Sequence, residues 1–213
     1  MKAFENWEFE EIHRVFGYKR IYRNFSALED WLKAEYPLTE FQNYQLETLR
    51  NNAELYVETW NEDELKFFLI SPLVQQVGFG NEYYKPFTQR RLSAKIGDIE
   101  VAGVADFMIA TGLQNPREPF FFIHEYKQER KRENDPLGQV LIEMLAAQAK
   151  NKNSQVLYGA YVVGRMWFFV ALKGNEYAVS HAFDTAQNDI FQIFKMLLFV
   201  KEKIETVFLK IDH

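Results

Sequence analysis

Apolar residues change their spacing along this chain, and the changes mark out its elements. Up to about Ile70 they recur at helical intervals. Ser26-Ala27-Leu28-Glu29 offers a capping box ahead of Trp31 and Leu32. From Phe41, the residues Leu46, Leu49, Ala53, Tyr56 and Val57 keep to one side of a helix. Asn61-Glu62-Asp63-Glu64 is a second start signal before Leu65, Phe68 and Leu69, and Ser71-Pro72 ends or bends that helix.

The period then shortens to that of strands. Arg90 to Ile96 and Ile99 to Ala110 flank Gly97-Asp98, a glycine-first hairpin turn. After a loop with Gly112, Asn115, Pro116 and Pro119 comes Phe120-Phe121-Phe122-Ile123-His124-Glu125-Tyr126-Lys127. Its apolar run fits a central strand buried on both faces. Asp135-Pro136 predicts a helix start, with Asp as N-cap and Pro at the first helical position. Leu137, Val140, Leu141, Met144 and Leu145 give that helix a buried stripe.

Val156 to Val163 and Met166 to Leu172 predict a hairpin across Gly164-Arg165, and Tyr177 to Phe183 a further strand. Ala186 to about Leu209 reads as a helix with Ile190, Phe194, Leu197, Val200, Lys201, Ile204 and Phe208 roughly on one side. Helices, hairpin, strand, helix, strands and helix, in that order, predict an α/β sandwich with a mixed sheet covered on both faces.

Composition narrows the chemistry. The 213 residues are 47% apolar and suffice for a single domain, 1–213, with residues 1–40 as an N-terminal helical extension and 186–211 as the C-terminal helix. The formal net charge of −5 excludes a globally basic surface, so nucleic acid would have to meet a local patch. With no cysteine, disulfides, thiolate zinc sites and cysteine nucleophiles are excluded. His13, His124, His181 and His213 lie too far apart for helical metal-ligand spacing. No apolar run is long enough to cross a bilayer and no signal core opens the chain, so the expectation is a soluble, cytoplasmic protein.

The candidate chemistry lies on the two middle strands. Side chains two apart on a strand share a face, which places Glu125 with Lys127 and turns His124 and Tyr126 the other way. His124 therefore reads as a core histidine. Asp106 lies 19 residues before Glu125, in the preceding apolar strand. If the strands are neighbours, Asp106, Glu125 and Lys127 converge. Two carboxylates and one ammonium leave surplus negative charge in an apolar sheet, which a hard divalent cation such as Mg²⁺ would neutralise.

Gly103-Val104-Ala105-Asp106, followed by a strand ending Glu125-Tyr126-Lys127, resembles the PD-(D/E)xK nuclease superfamily. The resemblance covers roughly Asn61 to Leu172 and implies a restriction-endonuclease-like three-layer sandwich, a mixed central sheet flanked by helices. It also implies a metal-dependent nuclease, with Asp106 and Glu125 holding Mg²⁺ (Mn²⁺ as a substitute) and Lys127 assisting the attacking water. The family often adds a glutamate from the helix before the sheet, for which Glu64 is the first choice, with Glu62 and Glu58 as competitors. It also often has a glutamine on the following helix, here Gln139. Two positions depart from the pattern: Ala105 stands where the family often has proline, and Glu143 replaces the aromatic that can follow the glutamine by one turn.

Plainer readings stand beside these. Asn61 to Glu64 also reads as a helix cap, and Gln139 as a polar first-turn residue. Arg130, Lys131 and Arg132, in the charged run after Lys127, and Arg90 and Arg91 on the first hairpin are candidate contacts for a phosphate backbone. The expected partner is DNA, with RNA also open and a homodimer as an option. The alternative function is a catalytically silent nuclease-like domain that binds nucleic acid or protein.

Overall fold

A computed structural model describes residues 2–127, 135–152 and 155–209. Its centre is the hairpin of β3 (Lys85–Ile96) and β4 (Ile99–Thr111), turning at Gly97-Asp98 and followed by β5 (Arg117–Lys127). These strands pair antiparallel in sequence order. Helix α6 (Pro136–Asn151) then crosses over to β6 (Leu157–Val163), which runs parallel to β5. Next comes β7 (Met166–Lys173), antiparallel to β6 across Gly164-Arg165. The strand predicted over Tyr177 to Phe183 is two: β8 (Glu176–Val179) and the short β9 (Phe183–Asp184), each paired antiparallel with β7.

The N-terminal region is less purely helical than its spacing predicts. Lys2–Ala3 (β1) adds parallel to β4, and Lys19–Arg20 (β2) adds parallel to β8. Strands this short carry no periodicity to read, so only their place beside longer strands reveals them. Helices α1 (Phe9–Phe16), α2 (Ser26–Leu32) and α3 (Glu40–Tyr56) fill most of the rest. Ser26 opens α2 rather than capping it, because Phe25 holds the N-cap position and no side chain caps the helix. Asn61 caps α4 (Glu62–Leu65), which runs without a stop through a π-helical turn, Lys66–Ile70, into α5 (Ser71–Val77). The helical path thus continues through Ser71-Pro72, since proline is tolerated in a first turn. The last helix is α7 (Asp189–Lys203), followed by a π-helical turn, Ile204–Phe208.

Helices cover both faces of this mixed, open sheet, making three layers. On one face Phe107, Phe122, Tyr126, Trp167 and Phe169 pack against α2, α3, α5 and α7 around fully buried Trp31. On the other, Met108, Ile123, Leu157 and Val170 pack against α6 and the N-terminal Phe4, Trp7 and Ile12. Two glycines allow α6 to lie close. A Cβ on Gly138 would come within 2.3 Å of the Trp7 carbonyl oxygen, and one on Gly159 within 2.5 Å of the Met144 sulfur. Among the described residues, no helix is long and apolar enough to cross a membrane.

Candidate functional site

Where β4 and β5 part, the sheet opens. Their ladder runs from Thr111 down to the pair Phe107–His124, while further along β4 the same edge is taken by β1 at Val101 and Ala102. In between, the Tyr126 amide donates not to a carbonyl but to Asp106 Oδ2, at 3.1 Å. On the other flank of Asp106, the β3–β4 ladder skips the position of Gln89, whose φ of +50° is left-handed. Strand alternation also slips here: on β4 the α6 side takes Val101 and Ala105 before Asp106, but Met108 and Ala110 after it. A strained non-glycine residue and a phase slip together aim one carboxylate into a gap between strands, the kind of local distortion that accompanies functional sites.

Asp106 is well supplied with donors. Its Oδ1 accepts from the Gln89 side-chain amide and from Lys66 Nζ at 3.1 Å. Lys66, in the π-helical turn, also binds Glu62 Oε1 at 2.7 Å, linking α4 to the sheet. Burial works against the Lys66 ammonium, but the Glu62 and Asp106 carboxylates outweigh it and hold its pKa above the ordinary value.

Glu125 is 1% exposed and takes Lys127 Nζ on Oε1. Burial, then the nearby Asp106 charge, push its pKa up to about 8 against the opposing pull of Lys127. Burial also opposes the Lys127 ammonium, yet Glu125 and Asp106 raise its pKa above the usual lysine value. Facing β5 across the core, α6 brings Gln139 (6% exposed) and Glu143 (0% exposed), in contact at 3.5 Å. Glu143 is held well above the carboxylate range by burial and by the charges of Glu125 and Asp106. Glu125 Oε2, Gln139 Oε1 and Glu143 Oε2 are buried with no hydrogen-bond partner among the described residues.

The structure therefore brings Asp106, Glu125 and Lys127 into one neighbourhood, with Gln139 beside Glu143 on the helix packed against β5. Glu64 is elsewhere engaged: its carboxylate accepts from the Asn61 amide at 2.8 Å, while Asn61 Oδ1 accepts from the Glu64 amide at 2.9 Å. Of the three glutamates weighed before the sheet, Glu62 is the one tied to Asp106, through Lys66. Lys66 and Glu143 carry no motif signal. Lys66 lies 40 residues from Asp106, and Glu143 occupies the position where the resemblance puts an aromatic. A polar pair spaced i, i+4 within the otherwise apolar stretch Leu137 to Ala147 is the hint that the sequence offers.

His124 faces the opposite side, caged by Tyr126 and Trp167 with ring centroids at 4.5 and 4.6 Å, and burial pushes its pKa down to about 3. A groove of about 550 Å³ between α5 and β3 runs up to Asp106, lined in part by Lys66, Val74, Lys85, Arg90 and Tyr126. Arg90 and Arg91 are exposed on β3, whereas Arg130, Lys131 and Arg132 lie outside the described residues. Among the described residues, no three acidic or histidine side chains are grouped to hold a metal ion by themselves. Compared with protein-family models and with curated proteins, the chain matches none.

Proposed function

We propose that this chain is a Mg²⁺-dependent nuclease domain of the restriction-endonuclease-like fold, cleaving DNA phosphodiester bonds by water attack. The observation that carries the reading is the gap between β4 and β5, where Asp106, Glu125 and Lys127 are held together in a buried setting. Retaining two carboxylates and an ammonium there is expensive for a purely structural sheet. The donor set also fits a hard divalent cation: the buried Glu125 Oε2 has no hydrogen-bond partner among the described residues, and carboxylate oxygens are the ligands such ions take. Asp106 and Glu125 would hold Mg²⁺ or Mn²⁺, which when bound acidifies a water and offsets phosphate charge.

The chain's own groups supply the rest. Lys127 places a fixed positive charge beside Glu125, where negative charge grows on the phosphate oxygens as water adds to phosphorus and the ester P–O bond breaks. Arg90 and Lys85, at the groove leading to Asp106, offer the local cationic surface that an acidic protein needs to approach a polyanion.

A second reading, a catalytically silent domain that binds nucleic acid or protein, draws on one observation: Lys66 already neutralises Asp106. Incubation with supercoiled, linear and single-stranded DNA and with RNA, in Mg²⁺ or Mn²⁺, separates the two. Wild type should cleave, and Asp106→Ala and Lys127→Ala should each lose about 10²–10³-fold in rate. Cleavage retained by both variants removes the site assignment, and no cleavage of any substrate by wild type selects the silent reading.

A further inference from the structure

Helix α6 is buried along Leu137 to Ala147, and in that stretch only Gln139 and Glu143 are polar. One helical turn apart, they lie on a single face. Asp135 anchors the helix start by capping the Leu137 amide and accepting from the Phe9 amide at 2.8 Å. The tight approach at Gly138 fixes it further. The pair is thus held in place rather than free to turn toward solvent.

An oxygen of each goes unpartnered among the described residues. Among the described residues Glu143 Oε1 accepts from the Gln139 side-chain amide at 3.5 Å, and its Oε2 has no partner. Gln139 Oε1 and Glu125 Oε2 are in the same condition, and Lys127 is bound to the other oxygen of Glu125. With both carboxyl groups ionised, as a bound cation would hold them, all three orphaned atoms are acceptors. A single water has two protons and cannot satisfy three acceptors, and an unpaired buried carboxylate is costly. One species that satisfies carboxylate and amide oxygens together is a hard cation carrying its own water. Asp106 contrasts with them, since both its oxygens already accept hydrogen bonds.

We propose that Glu143 and Gln139 of α6 complete a buried divalent-cation site with the second carboxylate oxygen of Glu125. The inference rests on the metal-dependent reading above and extends it. It adds Glu143, which the resemblance does not supply, makes a ligand of Gln139, and extends the Asp106–Glu125 pair toward α6. Two carboxylates and one amide oxygen leave room for the waters that Mg²⁺ retains, and one of these is the water that Lys127 would orient.

The test is Mn²⁺ binding to the full chain, followed by calorimetry and by the loss of the free-ion paramagnetic signal, beside thermal melts with and without Mn²⁺. Wild type should bind and gain melting temperature. Glu143→Gln should weaken binding at least tenfold and lose most of that gain, with a metal-free melting temperature no lower than wild type, because an unpaired acid has been removed. Gln139→Leu should weaken binding several-fold, which keeps the proposal testable if Glu143→Gln does not fold. Wild-type affinity in either variant, or no Mn²⁺ binding by wild type, overturns the site. Mn²⁺ bound by wild type and lost in Glu143→Gln, with no cleavage of DNA or RNA, upholds the site while removing the nuclease reading. Cleavage by a Glu143→Gln protein with undiminished Mn²⁺ affinity does the reverse.

Discussion

His124 and Glu125 are consecutive on β5, both buried and both ionisable, yet the two faces of the strand treat them in opposite ways. On one face His124 is enclosed by Phe107, Phe122, Tyr126 and Trp167 and kept neutral. On the other, Glu125 is given an ammonium, a second carboxylate from β4 and a third from α6. Burial disfavours charge on both faces. The first face answers by removing charge, as cores usually do. The second gathers ionisable groups, leaving buried oxygens without partners among the described residues. That asymmetry separates a packed histidine from a candidate site, and each half of it can be attacked on its own.

The largest effect is expected on the charged face. Above about pH 8, where Glu125 is ionised, Lys127→Met leaves it with no ammonium at Oε1 in a buried setting, and breaking such a pair costs about 3 kcal/mol or more. Adding Glu125→Gln to Lys127→Met removes the stranded acid and should restore most of the loss. Urea unfolding of the two single variants and the double variant measures this directly. A Lys127→Met protein within about 1 kcal/mol of wild type would show that the pair is solvated and the two faces alike.

The pH profile should carry both faces at once. Glu125 rises from about 4.5 unfolded to about 8 folded, so its contribution is full at acid pH and is lost as pH rises through 8. Glu143 acts in the same direction. His124 falls from about 6.5 unfolded to about 3 folded, so its contribution is present above 6.5 and lost as pH falls toward 3. Between about 4.5 and 6.5 the two faces oppose each other. Thermal melts without divalent ions should therefore decline from pH 6.5 to 8 and again below 4.5. Glu125→Gln should flatten the alkaline limb, and His124→Phe the acid limb, with His124→Phe shifting stability at neutral pH by less than about 1.5 kcal/mol, as a near-isosteric ring swap should. An alkaline limb unchanged in Glu125→Gln would remove Glu125 as its source.

Much of the frame was legible because it rests on local signals. The Gly97-Asp98 hairpin, the apolar run into Glu125, the Asp135-Pro136 helix start and the Gly164-Arg165 hairpin each follow from neighbours in sequence. Strand alternation likewise put Glu125 with Lys127 and turned His124 away. What stayed hidden depends on tertiary closure. β1 and β2 are two residues each and exist only as additions to β4 and β8. Lys66 meets Asp106 only because a π-helical turn sets its side chain over the gap. Asn61-Glu62-Asp63-Glu64 supports a cap and a site ligand equally well in sequence, and the geometry assigns Glu64 to the cap and Glu62 to Lys66. Glu143 stands where the resemblance puts an aromatic, and only tertiary closure shows it to be a fully buried acid beside Gln139.

The smallest effect concerns the backbone that aims Asp106. Gln89 sits at φ +50° and donates to Asp106 Oδ1. Gln89→Gly relieves left-handed strain worth about 1 kcal/mol. It also removes a hydrogen bond to a carboxylate, which at this exposed position is worth a similar amount. The two should nearly cancel, leaving stability within about 0.5 kcal/mol of wild type. The carboxylate, however, loses one of the donors that orient it, so on the nuclease reading proposed above DNA cleavage should fall by several-fold while the fold persists. Chemical unfolding and single-turnover cleavage on the same preparation separate the two quantities. A large loss of stability with cleavage intact would mean the turn at Gln89 serves the sheet. The opposite pattern would tie the strain, like the crowded charge on β5, to the site.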